Sequence, residues 1–188
     1  MELKNHWTGQ NAKVHGQNQY KFKRDITQPL LNFGRCVVHF AVDTDEVYMT
    51  TKLDGGNTFF LPFNLGHNHG KGNPPNPFGH KTSYLWDEVL TRESVANIIQ
   101  HFVRFDGSEK DGLSKRNLFF PRYHQMNVVR KIIADASKKG VGQNYLIQHS
   151  AGSGKSNSIT WAAYQLIETY PENDSIPGSK GISNPLFD

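Results

Sequence analysis

The stretch NYLIQHSAGSGKS, residues 144–156, constrains the fold more than any other part of this chain. An apolar run at 144–148 reads as a short strand, a loop of small residues follows, and a helical pattern begins near Ser156 and continues to about Tyr170. Small residues let backbone N–H groups converge on phosphate oxygens, and a helix N-terminus adds partial positive charge at the same point. In such a loop Gly152, Ser153 and Gly154 shape the cradle. Lys155 reaches the β- and γ-phosphates, and the Ser156 hydroxyl ligates Mg²⁺. ATP and Mg²⁺ are therefore the expected cofactors. The usual pattern opens with Gly or Ala five residues before Gly154, and here His149 stands in that place. A chance Gly/Ser turn is the competing account, and the order of strand, loop, Gly-Lys-Ser and helix argues against it.

A working site of this kind also needs a carboxylate at the end of a later strand, to hold the shell of the metal. Past Ser156 the acids are Glu168, Glu172, Asp174 and Asp188, and none follows a β-type run. The ATPase site is expected to be incomplete in this stretch of chain.

Other functional classes are narrowed by composition. A length of 188 residues suits one domain or two small ones, and 36% hydrophobic content excludes a chain disordered by composition. Cys36 is the single cysteine, which rules out an internal disulfide framework and a cysteine-based zinc cluster. No apolar run approaches the roughly 20 residues of a membrane span, and the N-terminus lacks a signal-peptide core, so a cytoplasmic location and no membrane partner are expected. The net charge of +4 is localised: residues 1–35 carry Lys4, Lys13, Lys21, Lys23, Arg24 and Arg35 against Glu2 and Asp25, and the rest of the chain balances. A basic segment of this kind suits a polyanion such as DNA, or equally a solvated face.

Along the chain four textures follow one another. Residues 1–35 are polar and basic, with a helix expected near their end. Residues 35–42, 46–53 and 58–66 read as three strands joined by short turns, an antiparallel meander. The run 67–81 is turn chemistry, and Thr91 is the expected N-cap of a helix carrying Val95, Ile98, Ile99, Phe102 and Val103. Residues 106–117 form a second polar linker. After Pro121 a helix presents Met126, Val129, Ile132 and Ile133 on one face and ends near Gly140.

With those words in place, FPRYHQMNVVRKIIADASKKGVGQNYLIQHSAGSGKSNSITWAAYQL (120–166) closely resembles the start of the motor domain in the restriction (R) subunit of type I restriction-modification enzymes. The resemblance continues upstream through NPPNPFGHKTSYLWDEVLTRESVANIIQHFV and RCVVHFAVDTDEVYMTT and covers essentially the whole chain. It implies that Arg122-Tyr123-His124-Gln125 is an adenine-sensing Q motif, with Gln125 bonding the base, and that AGSGKS is helicase motif I. It also implies that Met1-Glu2-Leu3-Lys4-Asn5 carries the E-x-K half of a PD-(D/E)xK nuclease core. A strand puts residues i and i+2 on one face, so Glu2 could hold Mg²⁺ and Lys4 could position or activate the attacking water. A glutamine on the next helix completes the family site, with Gln19 the first choice and Gln17 close behind; the family's Gln-x-x-x-Tyr spacing is not reproduced cleanly.

The fold class so implied is α/β: a partial PD-(D/E)xK nuclease domain (1–80), a helical connector (81–117) and the first β-α unit of a RecA-like superfamily 2 motor lobe (118–188). The family cleaves unmodified foreign double-stranded DNA after ATP-driven translocation, in complex with methylation (M) and specificity (S) subunits. Recognition of the DNA target lies in another subunit. Both sites are expected to be incomplete here, since the nuclease also needs an Asp upstream of Glu2, and the chain alone is expected to be inactive. Two alternatives stay open: a non-catalytic remnant with weak nucleotide binding, and part of another superfamily 2 nuclease-helicase.

Several further residues have bland readings that outweigh sharper ones. His67, His69 and His80 read as loop histidines rather than metal ligands. Asp43-x-Asp45-Glu46 reads as a hairpin turn rather than an acidic metal cluster. Cys36 is expected to pack within a strand, and Tyr84, Trp86 and Trp161 are expected in the core.

Overall fold

The computed structural model describes residues 1–169 other than His69, Glu109 and Val141. The chain is mixed α/β and divides into two compact units, Met1–Tyr123 and the part beginning at His124. Residues 170–188, with Glu172, Asp174 and Asp188, lie outside the described residues, as does His69.

In the first unit a four-stranded sheet runs in the order β1 (Glu2–Leu3), β2 (His39–Val42), β3 (Val47–Thr50), β4 (Leu61–Pro62). β1 and β2 are parallel, with Glu2 opposite Ala41, and β2, β3 and β4 form the expected antiparallel meander. Parallel neighbours need a crossover. Here it is a π-helical turn at Ala12–Gly16 running into α1 (Gln17–Phe22). The helix thus sits in the middle of the basic segment rather than near its end. The strands are also shorter than their apolar runs, and only residues 61–62 of 58–66 join the ladder.

All four residues of β2 are buried, so both faces of the sheet are covered. Ala41 packs in a cluster with Ala12, Tyr20, Leu53 and Phe60, and Tyr20 also meets the His39 ring edge-on at 5.5 Å. On the opposite face Phe40 meets Phe63 at 5.3 Å and Phe120 at 6.0 Å between ring centroids. Gly16 is what lets the crossover approach so closely: a Cβ there would stand 3.0 Å from that of Ala41.

Residues 81–117 belong to this unit, where Leu85, Val89, Ile98 and Phe102 are buried. Thr82 Oγ1 donates to the Asp43 carbonyl at 2.7 Å and the Tyr84 hydroxyl to that of Phe63 at 2.6 Å, which ties this stretch to the sheet. α2 (Arg92–His101) begins at the expected cap, Thr91, whose side chain accepts from Ser94 N. Within it Ser94, Asn97 and Ile98 are buried while Ile99 is exposed, so its buried face is narrower than the expected apolar one. The polar run 106–117 is not a bare linker. It joins β5 (Arg104–Asp106) to β6 (Asn117–Phe119) in an antiparallel pair. Arg104 lies over the Phe119 ring and Arg116 over Phe105, a pairing of flanking cations and aromatics that alternation alone does not flag.

The second unit holds α3 (Tyr123–Lys139) from its second residue onward, and α4 (Lys155–Glu168). The expected face of α3, Met126, Val129, Ile132 and Ile133, is buried, and Gly140 ends the helix at a φ of 74°. α4 buries Ser158, Trp161, Ala162 and Gln165. The run 144–148 departs from expectation: it has no regular secondary structure and is in no ladder, and Leu146 is 97% exposed. A strand is stabilised by neighbours that take its backbone groups, and no strand of this unit among the described residues is there to take them.

Candidate functional site

Two constellations follow from the sequence, one in each unit. In the first, β1 aims Glu2 and Lys4 to the side of the sheet that α1 covers, because Glu2 is in register with Ala41 and side chains alternate. The Lys4 amide donates to the Val42 carbonyl at 2.8 Å, which extends the parallel pairing by one residue. The Lys4 ammonium donates to Gln19 Oε1, joining the strand to α1 across 15 positions of sequence. Of the two glutamines considered, Gln19 is therefore the one that meets Lys4.

Glu2 is buried, and its Oε1 accepts from Arg24 Nε at 2.6 Å, with Arg24 Nη2 at 2.5 Å. Arg24 was counted in the sequence only as part of the basic segment. Its place in the site could be found only from the end of α1 turning back towards β1. Beneath the pair, Tyr20 donates to the Phe40 carbonyl at 3.3 Å, and burial holds its phenol far above the ordinary value, so it stays neutral and structural.

The chemistry available is that of a buried carboxylate beside a positioned ammonium. A hard cation is a suitable partner for Glu2, since Mg²⁺ is commonly held by one or two carboxylates together with substrate phosphates. Arg24 now bears on that carboxylate and would have to swing aside.

In the second unit the loop 150–154 passes into α4 through two glycines in the left-handed region, Gly152 at φ 71° and Gly154 at φ 79°. Gln125, buried on α3, donates from Nε2 to the Ser153 carbonyl at 3.2 Å and to the Gly154 carbonyl at 3.0 Å. A Cβ at Gly154 would displace the Gln125 amide from its seat, and the left-handed φ of 79° favours glycine there. His124 Nε2 lies 3.0 Å from the Ser153 carbonyl and its ring meets that of His149 edge-on at 5.0 Å. The residue that departs from the usual loop opening is thus packed against the Q-motif-like segment. Lys155 Nζ donates to the carbonyls of His149 (3.2 Å) and Ser150 (2.9 Å), both within its own loop. The buried Ser153 Oγ and His149 Nδ1 find no hydrogen-bond partner among the described residues. A buried hydroxyl and ring nitrogen left unpartnered beside an α-helical N-terminus fit a polar, anionic ligand.

The remaining candidates resolve as follows. Asp43 makes the hairpin turn, with Oδ1 accepting from Asp45 N and Glu46 N at 2.8 Å each, and its Oδ2 accepts from Ala12 N at 2.7 Å. His6 Nε2 stands 3.4 Å from Asp43 and 3.5 Å from Asp45, while Lys81 holds Asp45 at 2.6 Å and keeps its carboxyl below the usual range. His67 and Gly70 form a bridge in the loop. Cys36 lies outside the strand, half-buried, with Sγ donating to the Val38 carbonyl at 3.3 Å. Tyr84 and Trp161 are core residues, but Trp86 is 44% exposed and is not.

No helix among the described residues is long and apolar enough to cross a membrane. A scan against protein-family models found no match, and neither did searches of curated proteins and of solved structures.

Proposed function

We propose that this chain is part of the R subunit of a type I restriction-modification enzyme, the subunit that couples ATP-driven translocation to cleavage of double-stranded DNA. The first unit is then the distal part of the nuclease domain and the second opens the RecA-like motor lobe. The observation that carries the reading is the bond from Lys4 to Gln19, with Glu2 on the same face of β1. A chance Glu-x-Lys at a strand end has no reason to meet a glutamine of the crossover helix.

In this reading Glu2 would hold the metal, and Lys4, held by Gln19, would orient the attacking water. When bound, Mg²⁺ supplies Lewis-acid stabilisation of charge at the scissile phosphate. Burial of Glu2 and the cover of α1 keep the carboxylate out of bulk water. In the motor lobe, Gly152, Ser153 and Gly154 cradle phosphates, Lys155 leaves its loop carbonyls for phosphate oxygens, and Ser156 contributes the hydroxyl for Mg²⁺. Gln125, already seated on the loop, ties adenine sensing to loop shape. The M and S subunits supply target recognition.

Two measurements test this. A fluorescent ATP analogue should bind the chain in the presence of Mg²⁺, and Lys155→Ala should lose at least tenfold in affinity; equal binding by the variant sinks the motor-lobe half. In the subunit assembled with M and S, Lys4→Ala should abolish cleavage of unmodified DNA while ATP hydrolysis continues; undiminished cleavage sinks the nuclease half. A non-catalytic remnant is the second reading, favoured by one observation: Arg24 already engages Glu2, and Lys155 is already engaged by carbonyls of its own loop.

A further inference from the structure

Two tryptophans line a single cavity of about 290 Å³ in the first unit, and Lys4 forms part of its wall. Trp7 is 94% exposed and Trp86 44% exposed, an unusual state for the side chain with most apolar surface to lose. Neither is loose. Trp7 stands on a 3₁₀ turn, His6–Thr8, where Asn5 Oδ1 accepts from its amide at 2.9 Å and Gly9 closes the other end at φ 67°. Trp86 stands on the turn Leu85–Val89, anchored by Leu85 and Val89, both fully buried.

Leu3 and Val42, the residues of β1 and β2 that face away from α1, give the cavity an apolar floor. Its acid, Asp43, is already engaged by three backbone amides and by His6, so it adds little repulsion. The volume is near the lower limit of small-molecule pockets, ~300 Å³, which suits one planar ring system. Indoles over an apolar floor, on a chain segment that is basic overall, are a means by which proteins hold an unpaired base without reading its identity.

We propose that the Trp7–Trp86 cavity takes one unstacked base of a DNA strand engaged by the first unit. The inference deepens the nuclease reading and rests on it for the source of the strand. Tryptophan fluorescence of the chain, titrated with a short single-stranded oligonucleotide at low salt, tests it. The base-bearing strand should quench the signal, Trp7→Ala should weaken binding roughly tenfold, and Trp7→Phe should restore most of it. Because Trp7 is almost wholly exposed, its replacement spares the fold, which circular dichroism checks.

A strand of equal length lacking its bases should bind the native chain no better than the base-bearing strand binds Trp7→Ala. Equal binding of the two strands, or no loss in Trp7→Ala, overturns the cavity and leaves the nuclease reading standing. Base-dependent quenching alongside undiminished cleavage in Lys4→Ala separates the opposite case, in which the cavity holds and the nuclease assignment fails. Absence of DNA binding overturns the cavity proposal outright.

Discussion

The two candidate sites are built on opposite principles. In the second unit the residues of the proposed phosphate loop are contiguous, and two left-handed glycines with the start of α4 shape it, with Gln125 of α3 seated on its carbonyls. In the first unit Glu2, Lys4, Gln19 and Arg24 are scattered through the sequence and converge only because β1 pairs with β2 and the crossover lies across them. A local site survives as long as its turn does. A convergent site depends on the whole sheet, so packing changes far from it should disturb it.

The sharpest way to break the contrast is at the sheet. Phe63 is fully buried between Phe40 and Tyr123. Phe63→Ala should cost about 3–5 kcal/mol of unfolding free energy by urea titration and should release Lys4 from Gln19, seen in the lysine side-chain NMR signals. Retention of that contact in a destabilised variant would mean the first site is as local as the second.

Gly154→Ala attacks the local site. The left-handed backbone and the clash with Gln125 together should cost about 2 kcal/mol and remove nucleotide binding, while the Lys4–Gln19 contact is unchanged.

A third probe is pH. Burial pushes His39 down to about 4, whereas an unfolded histidine titrates near 6.5. The unfolded chain therefore binds the extra proton first. Stability from this group is complete above pH 6.5 and is lost progressively as pH falls towards 4, on the order of 2 kcal/mol. Urea midpoints measured across that window should fall for the native chain and fall less for His39→Phe.

The smallest effect is expected for Gln19→Ala, where loss of one half-exposed polar contact should change stability by under about 1 kcal/mol. Its signature is instead a more mobile Lys4 side chain by NMR relaxation, and unchanged Lys4 dynamics would break the proposed link.

Much of this was legible in the chain. The meander, the Thr91 cap, the buried face of α3 and the glycines of the phosphate loop rest on interactions within a turn or between neighbouring strands. Their signals are periodicity and residue type. The misreadings share one cause. The run 144–148 has strand chemistry without strand partners, the polar run 106–117 hides a hairpin stabilised by cations over aromatic rings, and Trp86 has core chemistry on an exposed turn. In each case the outcome depends on what packs alongside, and that is set elsewhere in the sequence.

The amino-acid order by itself determined where glycine must open a left-handed turn, which helix faces are apolar, and that Lys155 and Ser156 begin a helix behind a flexible loop. These follow from sterics and spacing within a few residues. Only the tertiary structure decided that Gln19 rather than Gln17 meets Lys4, that Arg24 guards Glu2, that His149 packs on His124, and that Trp7 and Trp86 share one cavity. Those contacts depend on strand register and on the crossover between β1 and β2, and both are settled by burying Ala41, Tyr20 and Phe60 together rather than by any local preference.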